Sequence, residues 1–363
     1  AYNELNGVPA CMNPDLKTLV KKQWGLEFIV TDGADFSQNV LAHHSHATHA
    51  EALAACLKNG NDVMTDEADM VAAAARDALD RGLLTEADID RAVGNSLSGR
   101  FRLGVFDGDS CPYNPEPAET DTLLHRAVNR CAAMEQMCLL HNRGILPLQL
   151  QPDARVAVIG PLANTRANMV GTWSVCAREN SAATLVEGLR EVAGKRAEIV
   201  YAKGSNLTYD PALEERATMF GRSLGRDGRS DEELLAEALE AARSCDVIVA
   251  ALGESSEMSG ESSSRVDLHI PDAQQALLRK LAETGKPIVL VLFTGRPLIL
   301  NWEQEHIPAI LNVWFGGTEA AGAIGDVLFG DAAPGGRLTT SFPRHVGQLP
   351  RSEEHTSELQ SLN

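Results

Sequence analysis

Two acidic stretches in this sequence stand where apolar runs of strand length end. Asp32 closes the run Glu27-Phe-Ile-Val-Thr-Asp32, which reads as a short buried strand. The segment Gly253-Glu-Ser-Ser-Glu-Met-Ser-Gly-Glu-Ser-Ser-Ser-Arg265 comes directly after the apolar run 246–252 and holds Glu254, Glu257 and Glu261. A carboxylate at the C-terminal end of a strand faces the cleft where α/β proteins place their chemistry. Two carboxylates are what cleavage of a glycosidic bond requires, one ionised to attack the anomeric carbon and one protonated to supply the leaving oxygen. Acidic side chains are equally at home in solvated loops, so on these residues alone both readings stand.

Other chemistries fit less well. A serine hydrolase wants Gly-x-Ser-x-Gly after a strand, and Gly253-Glu-Ser-Ser-Glu257 ends in glutamate. A dinucleotide site wants Gly-x-Gly-x-x-Gly after 155–159, where Gly160 is followed by Pro161 and no second glycine comes in register. His43, His44, His46 and His49 cluster, and His46 and His49 would share a helix face. Only Glu51 lies near enough to extend a chelate, so a polar loop is expected and no metal site. Of the tryptophans, Trp302 and Trp314 lie in apolar runs that read as core, whereas Trp173 lies in a loop and could stack on a sugar.

The elements that would position these groups fall into two parts. The first third is β then α: the strand to Asp32, entered from an amphipathic segment 16–24, then alanine-rich helices over 49–57 and 66–80, then a helix opened by the capping box Thr85 to Asp88. Residues 107–120 carry three prolines and no periodicity, which marks a linker, and a connecting helix is expected over 123–140. Beyond it, strand-length runs at 155–159, 198–202, 246–252, 287–293 and 309–315 alternate with helical patterns such as 231–243 and 272–283. That alternation predicts a mainly parallel sheet covered by helices on both faces. Residues 351–363 lose the rhythm and read as a non-native or disordered tail.

Composition bounds the partners. Acidic residues outnumber basic ones 50 to 32, for a net charge of −18. With no basic cluster beyond Lys21-Lys22, neither nucleic acid nor an anionic membrane is an expected partner. No apolar run approaches the ~18 residues of a membrane span. Seven widely spaced cysteines without a Cys-x-x-Cys pair favour reduced thiols and a cytoplasmic location over a disulfide framework. The N-terminus has neither a signal peptide nor an initiator Met, which leaves a periplasmic or secreted origin open.

Several ordered motifs carry a resemblance. Ala1-Tyr-Asn-Glu-Leu-Asn-Gly-Val-Pro-Ala-Cys11, Phe28-Ile-Val-Thr-Asp32-Gly33, Leu139-Leu-His-Asn-Arg-Gly-Ile-Leu-Pro-Leu148, Ala157-Val-Ile-Gly-Pro161, Gly316-Gly-Thr-Glu319, Gly335-Gly-Arg-Leu338 and Ser341-Phe-Pro343 occur in the order found in glycoside hydrolase family 3. Over residues 1–350 the sequence resembles that family. The resemblance implies the C-terminal part of a (β/α)8 TIM-like barrel over 1–106, a linker and connecting helix over 107–140, and an α/β/α sandwich over 141–350. It implies Asp32 as the nucleophile, Glu261 of Met258-Ser-Gly-Glu261 as acid and then base, and Tyr2 and Ser174 as substrate-binding residues. Glu254, in Gly253-Glu254-Ser255, is the rival to Glu261.

The activity that the resemblance implies is that of a retaining, exo-acting β-glycosidase, which removes terminal β-D-glucosyl residues from small oligosaccharides or glycosides without a cofactor. The alternatives are a β-xylosidase or α-L-arabinofuranosidase of the same family, or an inactive, sugar-binding fragment. Its two carboxyls would stand ~5–5.5 Å apart in the complete enzyme. Two departures bear on this. Gly33 stands where many members carry a side chain against the sugar, and His141 replaces the lysine of the Leu-Leu-Lys-Asn segment. A closed barrel of this kind takes ~250 residues, so the expectation is an N-terminally truncated fragment that lacks several barrel strands.

Overall fold

The structure is a computed structural model that describes residues 3–113, 119–174, 177–178, 180–216, 224–261 and 263–349. Tyr2 and the tail 351–363, about which the sequence raised expectations, lie outside the described residues. The chain forms two compact units, Ala1–Ala118 and Glu119–Asn363.

In the first unit, strands β1 (Glu4–Leu5) and β2 (Val8–Pro9) form an antiparallel pair. A helical segment, Leu16–Gln23, leads to β3 (Val30–Gly33), then α1 (Gln38–Leu41), α2 (His49–Lys58), β4 (Val63–Thr65), α3 (Ala68–Asp80) and α4 (Glu86–Arg102). β3 and β4 pair in parallel across the α1–α2 crossover. The expected capping box forms at α4, with Thr85 and Asp88 satisfying each other's backbone N–H groups, and a second one at α2 uses Thr48 and Glu51. Small side chains such as Ala52, Ala74 and Ala78 join Phe36, Leu53, Cys56 and Leu84 in the unit's core.

The reading of β3 as a buried strand does not hold. Val30 is 50% exposed and Asp32 is exposed, and only Thr31 between them is buried. Among the described residues of this unit β3 pairs with β4 alone, so the apolar residues that a flanking strand would cover remain uncovered.

The second unit contains α5 (Leu123–Gln136), β5 (Cys138–Asn142), β6 (Ala154–Ile159), α6 (Leu185–Ala193), β7 (Ala197–Ala202), α7 (Pro211–Arg216), α8 (Asp231–Arg243), β8 (Val247–Gly253), α9 (Asp272–Ala282), β9 (Ile288–Phe293), α10 (Asn301–His306), β10 (Ala309–Asn312) and α11 (Ala320–Phe329). The six strands form one sheet in the order β5-β10-β9-β8-β6-β7, parallel except for β5, which runs antiparallel to β10. Side chains alternate between the faces with the strand period. Val156, Val158, Val249 and Val291 join α5, α6 and α11 in one apolar layer, while Ala157, Ile159, Ile248 and Leu290 join α8 and α9 in the other. The predicted sheet with helices on both faces is therefore present as an α/β/α sandwich.

Two local expectations differ. The helix expected over 123–140 stops at Gln136, and Leu139 and Leu140 belong to β5. A short apolar run satisfies either periodicity, and here the open edge of β10 supplies the hydrogen-bonding partner. The strand expected over 309–315 ends at Asn312 because Trp314 takes a left-handed backbone, φ 50°.

Candidate active site

In chain order the parallel strands β6 to β10 run 2-1-3-4-5 across the sheet, so the winding reverses between β6 and β8. The C-terminal ends of strands at such a reversal leave a crevice where open α/β sheets bind ligands. Two glycines let the chain turn there. A Cβ on Gly160, at the end of β6, would fall 2.1 Å from the Ala251 carbonyl oxygen, and one on Gly253, at the end of β8, would fall 1.9 Å from that of Phe293. Their φ values of 138° and 129° exclude other residues as well.

The acidic loop begins directly after Gly253. Glu254 is fully buried (0% exposed) and both of its oxygens are occupied. Oε1 accepts a hydrogen bond from Arg265 Nη1 at 2.6 Å and lies 3.3 Å from Arg296 Nε; Oε2 accepts from Ser259 Oγ and, at 2.9 Å, from Thr294 Oγ1. Two guanidinium groups and two hydroxyls thus surround one carboxylate, the arrangement that makes a buried charge tolerable. Glu257 is also buried, and its Oε2 accepts from Thr172 Oγ1 at 3.3 Å. Glu261 alone of the three glutamates is exposed. The loop folds tightly around it: Gly260 N–H donates to the Glu257 carbonyl at 3.1 Å, Ser263 N–H to the Gly260 carbonyl at 3.2 Å, and Ser263 Oγ to the Glu257 carbonyl at 2.7 Å.

The segment after β6 lines the same crevice. Buried Asn168 accepts from the Ser256 N–H at 2.7 Å, and Thr172 holds Glu257. Beside them Trp173 is 59% exposed with a left-handed backbone, φ 58°. Strain of this kind in a bulky residue costs ~1–3 kcal/mol and collects at functional positions. Ser174 Oγ donates to the Gly171 carbonyl at 2.7 Å. Trp173 and Ser174 therefore belong to the same loop system as Glu261.

In the first unit, Asp32 is exposed at the end of β3, with Oδ1 accepting from the Gly33 N–H at 2.7 Å. The strand that carries it is pinned from two sides. Thr65 Oγ1 donates to the Thr31 carbonyl at 2.6 Å while Thr65 N–H donates to Thr31 Oγ1 at 3.0 Å. The Asp62 carboxylate, buried against Lys21, Arg91 and Asn95, accepts from the Ile29 N–H at 2.9 Å.

The histidines are engaged separately. His43 Nδ1 lies 3.3 Å from Glu4, His44 meets the Val40 carbonyl, His46 meets Ser45, and His49 packs edge-on to Phe36. Among the described residues no group of three or more His, Cys, Asp or Glu side chains converges to hold a metal. Sequence reasoning missed Arg296, Thr294 and Asn168, whose contacts to the acidic loop come from other strand ends and leave no local signature; Ser259 and Arg265 stand within the loop, but their contacts to Glu254 were not foreseen.

Residues 137–362 match the Glycosyl hydrolase family 3 C-terminal domain. The chain is similar to a periplasmic beta-glucosidase of Salmonella typhimurium, at 37% identity over 100% of this chain and 48% of the relative. It is also similar to a beta-xylosidase of Formosa agariphila, at 32% identity over 96% of this chain and 47% of that protein. Among solved structures, the beta-glucosidase of Listeria innocua in complex with glucose superimposes with a TM-score of 0.76 at 29% identity, over 96% of this chain and 45% of that one. The chain spans about half the length of these relatives. Its sandwich unit, with the acidic loop at the winding reversal, carries the matched domain over more than half of the chain, and the chain belongs to glycosyl hydrolase family 3.

Proposed function

We propose that this chain contributes to a retaining, exo-acting β-glycosidase that releases terminal β-D-glucosyl residues from small oligosaccharides or glucosides by double displacement. The observation that carries the reading is the acidic loop after β8, which encloses Glu254 and Glu257 and leaves Glu261 open to a ligand. In the first step the Asp32 carboxylate attacks the anomeric carbon while the Glu261 carboxyl gives its proton to the departing oxygen. In the second, Glu261 as carboxylate takes a proton from water, and that water displaces Asp32 from the sugar. Neither step calls for a metal or cofactor. Saturation of both Glu254 oxygens supports Glu261 over Glu254 as acid/base. Trp173 offers an apolar face for the sugar ring, with Ser174 beside it and Tyr2 lining the sugar-binding subsite.

The βαβ succession β3, α1, α2, β4 followed by α3 and α4 supports reading 1–106 as the C-terminal portion of a TIM-like barrel, with 107–140 as linker and connecting helix and 141–350 as the sandwich. The Salmonella relative is named periplasmic, which favours that compartment over the cytoplasmic one drawn from the cysteines.

A second reading is β-xylosidase, favoured by the Formosa relative's name, or α-L-arabinofuranosidase of the same family. The test is a panel of aryl β-glucosides, β-xylosides and α-L-arabinofuranosides on the protein from the full reading frame that contains this chain. Asp32→Asn should abolish turnover and release of β-configured product should dominate in the parent. Full turnover by Asp32→Asn would remove the nucleophile assignment, and no turnover of any aryl glycoside by the parent would leave sugar binding as the better account.

A further inference from the structure

We infer that Glu254, Arg296 and Ser259 are positioning residues that hold the loop bearing Glu261 in its proton-donating pose, an inference that rests on Glu261 being the acid/base. Arg296, which comes after β9, donates from Nη2 to the carbonyls of Met258 and Ser263, the latter at 2.7 Å. Those two carbonyls stand on either side of Glu261 in the chain, so one guanidinium ties both ends of the turn that carries it. Glu254 forms an ion pair with that guanidinium, 3.3 Å from its Nε, and also accepts from Arg265, which in turn donates to the His269 carbonyl at 3.2 Å. Ser259 links the loop to β9 a second time: its Oγ donates to Glu254 and accepts from the Gly295 N–H at 3.1 Å.

A network that served stability alone would satisfy the buried charges with any surrounding donors. Here Arg296 ends on the backbone carbonyls of Met258 and Ser263, and the Ser259 hydroxyl starts from within the same turn. An exposed glutamate in a loop has wide conformational freedom, and proton transfer to a leaving oxygen demands a heavy-atom approach of ~2.6–3.2 Å. The clamp removes that freedom at the backbone and leaves the Glu261 side chain free to meet substrate. A misplacement of about 1 Å at such a group costs on the order of 10²-fold in rate.

Leaving-group dependence separates this from a structural role. For a retaining glycosidase, kcat/KM reports the first displacement, which needs the acid for a phenyl glycoside and hardly needs it for a dinitrophenyl glycoside, whose leaving group departs as a stable anion. The variants Ser259→Ala and Arg296→Lys, with Glu261→Ala as reference, are compared on both substrates in the protein from the full reading frame. Ser259→Ala keeps every buried charge paired, so it remains informative should Arg296→Lys fail to fold. Ser259→Ala is expected to lower kcat/KM for the phenyl glycoside roughly 10-fold and Arg296→Lys on the order of 10²-fold, with losses below about 5-fold on the dinitrophenyl glycoside. Equal losses on the two substrates, or none on either, while Glu261→Ala shows the leaving-group pattern, would overturn the positioning role and leave the acid/base assignment intact. Absence of the pattern in Glu261→Ala itself would overturn the acid/base assignment and the clamp together.

Discussion

Alanine at position 253 tests whether the acidic loop is launched by a close approach of β8 to β9. Gly253 has φ 129°, and a Cβ there would lie 1.9 Å from the Phe293 carbonyl oxygen and 3.1 Å from the Phe293 nitrogen. No side-chain motion relieves a collision with backbone, so the strand ends must part by more than an ångström. Parting them weakens the Glu254 N–H bond to that same carbonyl, 2.8 Å, and the bonds of 2.9 Å by which the buried Gln274 amide grips both the N–H and the carbonyl of Gly253. Backbone strain of ~1–3 kcal/mol, overpacking of ~1–3 and about one hydrogen bond's worth of ~1 give a loss of about 3–7 kcal/mol. For a unit of this size that lowers Tm by roughly 6–28 °C.

The control is Gly285→Ala, whose φ of 70° lies in the left-handed region that other residues reach at modest cost and which has open space around the added carbon. It should cost about 1–2 kcal/mol, or ~2–8 °C. Thermal unfolding of the two variants by circular dichroism or calorimetry gives the comparison. Similar losses at 253 and 285 would refute the close approach, because only position 253 pays a steric term.

Glu303, buried in the first turn of α10, has its carboxyl pushed above the usual range by that burial. A raised folded-state pKa means that the native protein holds the proton more tightly than the unfolded chain. Its contribution is then fully present below the ordinary carboxylate range and fades as pH rises through the raised value. Glu303→Gln should therefore stabilise the protein at pH ~7 and change little at pH ~4 in paired urea titrations; an equal effect at both would contradict the assignment. Asp62→Asn removes the charge that Lys21 and Arg91 share and that anchors the Ile29 N–H. Leaving those cations unpaired should cost about 3 kcal/mol, read as roughly 10²-fold faster hydrogen exchange at the Val63 amide, which donates to the Ile29 carbonyl at 3.2 Å. Unchanged exchange there would show that Asp62 does not pin β3.

The sandwich unit was legible where burial is two-sided. β6, β8 and β9 are apolar on both faces because helices cover both, so their runs stand out whatever the register. Position in the sheet was less legible. Cys138-Leu-Leu reads equally as a helix end or an edge strand, and only the available partner, β10, decides it. Val30 reads as buried because its type is apolar, yet burial depends on neighbours that this unit does not supply.

The candidate site shows the same division at higher stakes. Glu254, Glu257 and Glu261 are alike in type and lie beyond one strand, so composition and spacing could not rank them. The difference between them is long-range: Arg296 stands 38 residues from Met258 and Thr294 stands 40 from Glu254 in sequence. A carboxylate placed immediately after a central strand emerges inside the sheet's dry edge, where it persists only with guanidinium and hydroxyl partners, and those partners leave no oxygen for a substrate. One further along the loop reaches solvent and ligand but loses rigidity. A loop that buries its first acid against two arginines and ties the flanks of its last acid to one of them obtains both properties. For that reason the sealed glutamate and the open one are better understood as parts of one device than as competing candidates.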